Sequence, residues 1–466
     1  TEIYTLSLHD ALPILVQPGD TVYNIAQKFD VPVEGIVILN DLENPSQIQV
    51  GQQLRIPAYL QATVLYEEVP IYQQPVQESE EWGRVRAGTH LQVLGVVEEF
   101  YQVTYLNHIG WLLRDDAQLE AYDGTQPIAS ILGFYTLEES RELPSSYASY
   151  TENIDALSEA GLFFYRLNPE SPLEISPELG LRDQDVVLLT EIGHQNNVRV
   201  MPVIHNLLYG DVTISYEVVN TMLSSEENRQ SFITQIINLV DRFNFDGVNM
   251  DLEDVYESDE ELLSVFYQEL GEALRENGKF LSVSVPSRIR DEDYNPFSDP
   301  FNYSAIGVAV DEFVVMLYNE HGWPGSGPGP VVSAGWMRQV LTYAVERVDP
   351  AKIMAAVSVF GFDFNLVTDR PRYVSYEQAM ALAQEYGATI RFDEESQTPT
   401  FRYTASNGQE HEVWFENAES LLAKIRIADE FGIKGVGIWR LGLEDPAVWD
   451  ELRSQVIVQK IGRAHV

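Results

Sequence analysis

The residues best able to do chemistry lie in the stretch Phe245-Asp246-Gly247-Val248-Asn249-Met250-Asp251-Leu252-Glu253-Asp254. Written as a β-strand, with side chains alternating between faces, this stretch puts Asn249, Asp251 and Glu253 on one side. Val248, Met250 and Leu252 fall on the other. The Cα atoms of Asp251 and Glu253 are then roughly 6.6 Å apart, at ~3.3 Å per residue. Two carboxylates held that close and partly out of water resist double ionisation. One keeps a proton near neutrality and can act as a general acid. A solvated acidic strand end is the plainer reading, and it suits Asp254, Glu257, Asp259, Glu260 and Glu261. For Asp251 and Glu253 the regular alternation favours catalysis.

Such a strand needs helices against its apolar face and a polar interior ahead of it, as in the wall of a (β/α)8 TIM barrel. Barrel enzymes keep their sites at the C-terminal ends of the strands. From Ala129 onward, apolar strands do alternate with amphipathic helices. The pattern predicts strands over 129–135, 162–166, 199–205, 247–253, 280–286, 312–318, 352–361 and 435–441. Helices are expected over 228–243, 260–276 and 336–347, so the fold class is α/β with the barrel spanning 127–457. A long gap, about 365–431, reads as a small α+β insertion between strands 7 and 8 followed by the seventh helix. Two more strand ends carry candidates. Val315-Met316-Leu317-Tyr318-Asn319-Glu320-His321 closes the sixth strand, and Gly435-Val436-Gly437-Ile438-Trp439 is the eighth. His321 reads as a loop histidine with an ordinary hydrogen bond. The Gly322–Pro330 loop has no strand-to-helix phosphate pattern and reads as a rigid cleft wall.

The 466 residues carry 29 Lys+Arg against 72 Asp+Glu, a formal charge of −43. That balance repels nucleic acid and anionic lipid, so neither is expected as a partner. Only Lys28, Lys279, Lys352, Lys424, Lys434 and Lys460 are lysines, and an acidic, lysine-poor surface stays soluble at high salt. Apolar residues make up 45% of the chain, enough for a large core, yet no run reaches the ~18 residues of a membrane helix. Zero cysteines exclude disulfides, thiolate metal sites and a cysteine nucleophile. With no HExxH and no ligand spacing among the eight His, neither metal nor cofactor is expected.

Asp246, Asn249, Asp251 and Glu253 together resemble the D-x-x-D-x-D-x-E signature of glycoside hydrolase family 18. The resemblance implies that Glu253 protonates the glycosidic oxygen, while the sugar's own 2-acetamido oxygen attacks the anomeric carbon. Asp251 would orient the acetamide and stabilise the oxazolinium, Asp246 would be structural, and Asn249, standing for the common Asp, would bind substrate. Tyr318 matches the Tyr of the family's M-x-Y-D element and would hold the acetamide. Asn319 replaces its Asp, and Trp439 would stack beneath the reacting sugar. Lys352-Ile353 through Gly361-Phe362-Asp363-Phe364 is similar to an element of the spore-germination subgroup, with Phe360 where Tyr is usual.

Residues 14–58 have a βααβ pattern with Gly19-Asp20-Thr21 after the first strand and a Gly51-Gln-x-Leu-x-Ile-Pro ending. They resemble the LysM module, which binds N-acetylglucosamine-containing glycans. Carried over to this chain, the contacts are Gly19, Asp20, Thr21, Ser46 and Ile48. Residues 60–122 alternate over short strands with turns near Pro75, Gly88 and Asn107, resembling a bacterial Src-homology-3-like β module. Residues 1–13 and 459–466 look non-native, and no export signal is visible.

The resemblance implies a monomeric, extracytoplasmic enzyme cutting β-1,4 bonds after N-acetylglucosamine in peptidoglycan of spore cortex or cell wall. Chitin hydrolysis is the alternative, and non-catalytic glycan binding a second.

Overall fold

The computed structural model describes residues 13–460 except 30, 106–107, 141–142, 208–211, 292–294, 319 and 369. The chain divides into two compact units, 1–128 with 455–466, and 129–454.

In the first unit, Ile14–Leu15 pairs antiparallel with Gln53–Leu54, and helices Val22–Phe29 and Val33–Leu39 lie between them. The LysM pattern therefore folds as βααβ, with a closing strand of two residues. Val22, Ile25, Ala26, Ile36 and Leu54 bury its small core. The Asn40 side chain ties that core to the last strand: Nδ2 donates to Arg55 O at 2.7 Å and Oδ1 accepts from Arg55 N at 2.7 Å. A seven-stranded antiparallel sheet follows, from Tyr59–Val64 to Ala117–Tyr122, around Ala62, Ile71, Val85, Val103 and Leu112.

The second unit is an eight-stranded parallel barrel. Its strands are β1 (Ile128–Tyr135), β2 (Glu159–Leu167), β3 (Arg199–His205), β4 (Gly247–Asp251), β5 (Phe280–Pro286), β6 (Glu312–Met316), β7 (Ile353–Ser358) and β8 (Gly435–Trp439). Each pairs with the next, and β1 pairs with both β2 and β8, which closes the ring. Alternation in β4 works as expected: Val248 and Met250 are fully buried, and helix Glu226–Arg242, which packs on β4, has Phe232, Ile236 and Val240 at zero exposure. Gly247 is required at its site, because a Cβ there would stand 2.0 Å from Phe280 O on β5.

Two boundaries differ from expectation. β7 stops at Ser358, and Phe360–Asn365 turns into the insertion, pairing with Arg370–Ser375 and Glu410–Trp414 in a five-stranded sheet. The insertion thus begins before residue 365: an unbroken apolar run conceals the point where the chain leaves one sheet for another. β4 ends at Asp251, two residues short of the predicted 253, because its neighbour β3 runs out at His205.

Charge fills the barrel floor, at the N-terminal ends of the strands. Lys434 Nζ bonds Glu159 Oε1 at 2.5 Å and also bonds Glu312, Arg199 Nη1 lies 3.4 Å from Glu159 Oε2, and the Arg199 guanidinium stacks on Phe280 at 3.8 Å. Burial and the adjacent Glu159 push Glu312 up to about 7. Burial acts in the same sense on Glu159, but the charges of Lys434 and Arg199 prevail and hold it below the usual range. Unpaired, any of these charges would be expensive at such depth, so the group is a fixed assembly that keeps the floor closed.

Candidate active site

Opposite the floor, the C-terminal ends of β4, β6 and β8 bring Asp251, Glu253, Tyr318 and Trp439 to one mouth. Asp251 is only 5% exposed, and its buried Oδ1 has no hydrogen-bond partner among the described residues. A buried acceptor left open at the end of a barrel strand is a group waiting for a donor. Desolvation pushes the Asp251 carboxyl up to about 7. Glu253 is partly exposed and is also held well above the usual carboxylate range, by burial first and then by the charges of Asp251 and Asp254. The pair therefore holds at least one proton at neutral pH, as two adjacent carboxylates must in a low dielectric.

Tyr318 sits within the field of both carboxylates. Burial and then the charges of Asp251 and Glu253 lift its hydroxyl well above the ordinary tyrosine value, so it stays a donor. Its ring lies 6.2 Å from that of Trp439. Trp439 is braced edge-on by Phe134 at 5.4 Å and Phe163 at 5.2 Å, which come from β1 and β2. Phe163 in turn stacks on His205 at 4.1 Å. His205 Nε2 meets Glu178 Oε1 at 3.1 Å and Nδ1 accepts from Leu207 N at 3.2 Å, while burial pulls its pKa below the usual value. Imidazole is therefore neutral here, with Nε2–H donating to Glu178. The result is an aromatic cluster of fixed orientation in which Trp439 stays partly exposed.

Expected substrate contact by Asn249 is not what the geometry presents. Its side chain has no exposure, Nδ2 donates to Ser282 Oγ at 2.8 Å and Oδ1 accepts from Ser284 Oγ at 3.1 Å. Ser282 Oγ continues to Glu312 Oε1 at 2.7 Å. Asn249 points into the barrel one inward position below Asp251, and the two β5 serines use both ends of its amide. Asn319 lies outside the described residues. His321 makes the ordinary bond foreseen for it, Nδ1 to Pro330 O at 3.1 Å. Its loop packs on the insertion: at Gly322, φ +127°, a Cβ would stand 2.1 Å from Cε2 of Phe362.

Sequence reasoning missed Phe134 and Phe163, which look like strand-interior core residues, and also His205 and Asn206. The polar pair His205-Asn206 directly after an apolar strand was the available signal.

In the LysM module, Asp20 Oδ2 accepts from Gln17 N at 2.7 Å and Thr21 Oγ1 accepts from Asn24 N at 3.1 Å, which caps the first helix. Gly19 is at φ +93° with open space around it. Ser46 is exposed, with its N–H on Asn44 Oδ1 at 3.0 Å, whereas Ile48 packs against the module core.

Comparison with known proteins settles the family. The profile of glycosyl hydrolases family 18 matches residues 189–444, more than half of the chain. The chain belongs to glycoside hydrolase family 18. The LysM domain profile matches residues 14–57. A protein of Bacillus subtilis (strain 168) that bears the name sporulation-specific glycosylase YdhD is 28% identical over 96% of this chain and 99% of its own length. The cortical fragment-lytic enzyme of Bacillus anthracis is 31% identical over 59% of this chain and 64% of that protein. Among solved structures, the Chromobacterium violaceum chitinase has a TM-score of 0.63 at 26% identity, covering 70% of this chain and 98% of that one. The Bacillus cereus spore cortex-lytic enzyme SleL shares the fold, with a TM-score of 0.66 at 24% identity over 97% of this chain and 88% of that one. This family 18 chain is thus a glycoside hydrolase with a LysM domain at residues 14–57.

Proposed function

We propose that this family 18 enzyme hydrolyses β-1,4 bonds after N-acetylglucosamine in peptidoglycan, outside the cytoplasm, with retention at the anomeric carbon. The observation that carries the mechanism is the Asp251 carboxyl, buried, with one oxygen lacking a hydrogen-bond partner among the described residues. A 2-acetamido group seated on Trp439 would meet this carboxyl on its N–H and the Tyr318 hydroxyl on its carbonyl oxygen. Those two contacts turn the carbonyl oxygen toward the anomeric carbon and fix it for attack. Glu253, kept protonated by its surroundings, gives its proton to the leaving oxygen. The C–O bond breaks as the oxazolinium ring closes, and Glu253, now a carboxylate, activates the water that reopens it. Protonation of the departing sugar and stabilisation of the oxazolinium are thereby divided between two carboxylates two residues apart.

Substrate choice is supported by the names of the relatives and by the LysM domain, which suits a polymer carrying N-acetylglucosamine. Chitin is the second reading, favoured by the 26% identity to a chitinase. Non-catalytic glycan binding accounts for neither the intact carboxylate pair nor its retained proton. A time course on cortex peptidoglycan and on chitin oligomers decides between polymers. New reducing-end N-acetylglucosamine from peptidoglycan, appearing first as the β-anomer by proton NMR, is the expected result. Faster cleavage of chitin, or an α-anomer first, would overturn it.

Deletion of residues 14–57 is expected to reduce pull-down on insoluble peptidoglycan at least tenfold, with turnover of soluble fragments within about twofold. Tethering raises local concentration without touching the chemistry. Equal loss of both would make the module structural.

A further inference from the structure

We infer that Asn206 is a positioning residue for the acid Glu253: its side-chain amide replaces the strand that β4 lacks at its end, and holds the backbone of residues 253 and 254 in register. The inference rests on the reading of Glu253 as the acid. β4 is paired with β3 only as far as His205 opposite Asp251, so among the described residues the two that follow Asp251 have no ladder. An acid on a free strand end would swing, and proton transfer is sensitive to displacements of an ångström or less.

Asn206, the residue immediately after β3, closes that gap. Its Oδ1 accepts from Glu253 N at 2.8 Å and its Nδ2 donates to Asp254 O at 3.0 Å. One acceptor and one donor on a planar amide reproduce what a peptide unit of a neighbouring strand would offer. The side chain is fully buried, so water cannot replace it. Its own place is set as well: Nδ2 reaches Ser215 O at 3.5 Å, and the preceding His205 is locked by Glu178 and Phe163. Aspartate could not do this, because it offers no donor to the Asp254 carbonyl. A leucine or alanine would leave both backbone groups unpaired.

The test is steady-state kinetics on soluble peptidoglycan fragments for Asn206→Ala and the milder Asn206→Ser, alongside Glu253→Gln, with Tm measured for each. Displacement of the acid lowers kcat, about 10- to 100-fold for Asn206→Ala and less for Asn206→Ser, and leaves KM within about twofold, since no substrate contact is removed. Wild-type kcat in a folded Asn206→Ala, beside an inactive Glu253→Gln, would overturn the positioning role. So would kcat falling only together with a matching rise in KM, or failure of both Asn206 variants to fold, either of which marks a merely structural residue. Activity retained by Glu253→Gln is a different failure: it removes the acid assignment itself.

Discussion

Glu253→Gln is expected to lower reducing-end release from peptidoglycan by about 10³-fold or more, while pull-down on the same polymer stays at the wild-type level. Glutamine has the shape of a protonated glutamic acid and keeps the hydrogen bond to the sugar oxygen, but it has no proton to give. General acid catalysis is worth about 10²–10⁴-fold, and the upper part of that range applies to an alkoxide leaving group that departs poorly without protonation. The same side chain must later act as base, so both halves of the reaction suffer. Binding survives because Trp439, Tyr318 and the LysM module are untouched. Hydrolysis at the wild-type rate would sink the assignment.

Asp251→Asn should show two opposite effects. Activity falls about 10²-fold or more, because the oxazolinium loses its anionic partner. Stability moves the other way, and the sign follows from proton linkage. The folded carboxyl releases its proton at about 7, whereas the unfolded one releases it at 3.8. Between those values the folded state binds more protons, so stability is fully present below the unfolded value and is lost as pH rises toward 7. The three-unit gap corresponds to roughly 4 kcal/mol at most. Recovering even half of that at pH 8 raises Tm by about 3 °C in the 129–454 unit, given ~2.1 cal/mol/K of unfolding entropy per residue. At pH 4, where Asp251 is neutral in the folded protein, the two Tm values should coincide to within about 1 °C. A parallel offset at both pH values would show that burial of the charge is not the cause. Removing Asp251 also takes away a charge that raises Glu253, so the alkaline limb of any residual activity should shift to lower pH.

Holding two carboxylates at the mouth destabilises the fold at neutral pH, and the opposite end is closed by Lys434 and Arg199 around Glu159 and Glu312. The polar column from Glu312 through Ser282 to Asn249 links the two ends. Both ends of the Asn249 amide are thereby taken up by serines of β5.

Much of this was legible in one dimension. Alternation within Gly247–Asp251 has a period of two, and a period of two can place Asp251 inward in only one way. Apolar strands alternating with helices required a parallel sheet covered by helices, and eight of them close a barrel. The LysM pattern was legible because its turn glycine and capping residues act on neighbours in the chain, as Thr21 does on Asn24. Those are local rules, and the sequence by itself determined everything that depends on them, including the inward face of Asp251.

Contacts made across tens to hundreds of residues were decided by the tertiary structure alone. Whether Asn249 would face a sugar or two serines depended on β5, more than thirty residues away, and Ser282 and Ser284 took both ends of its amide. The point at which β4 stops depended on the length of β3, and so did the need for Asn206 to carry the ladder past it. Phe134 and Phe163 read as core until β8 brought Trp439 against them. A side chain's face follows from its own strand's pleat, but its partner follows from register between strands, and only the closed barrel sets that.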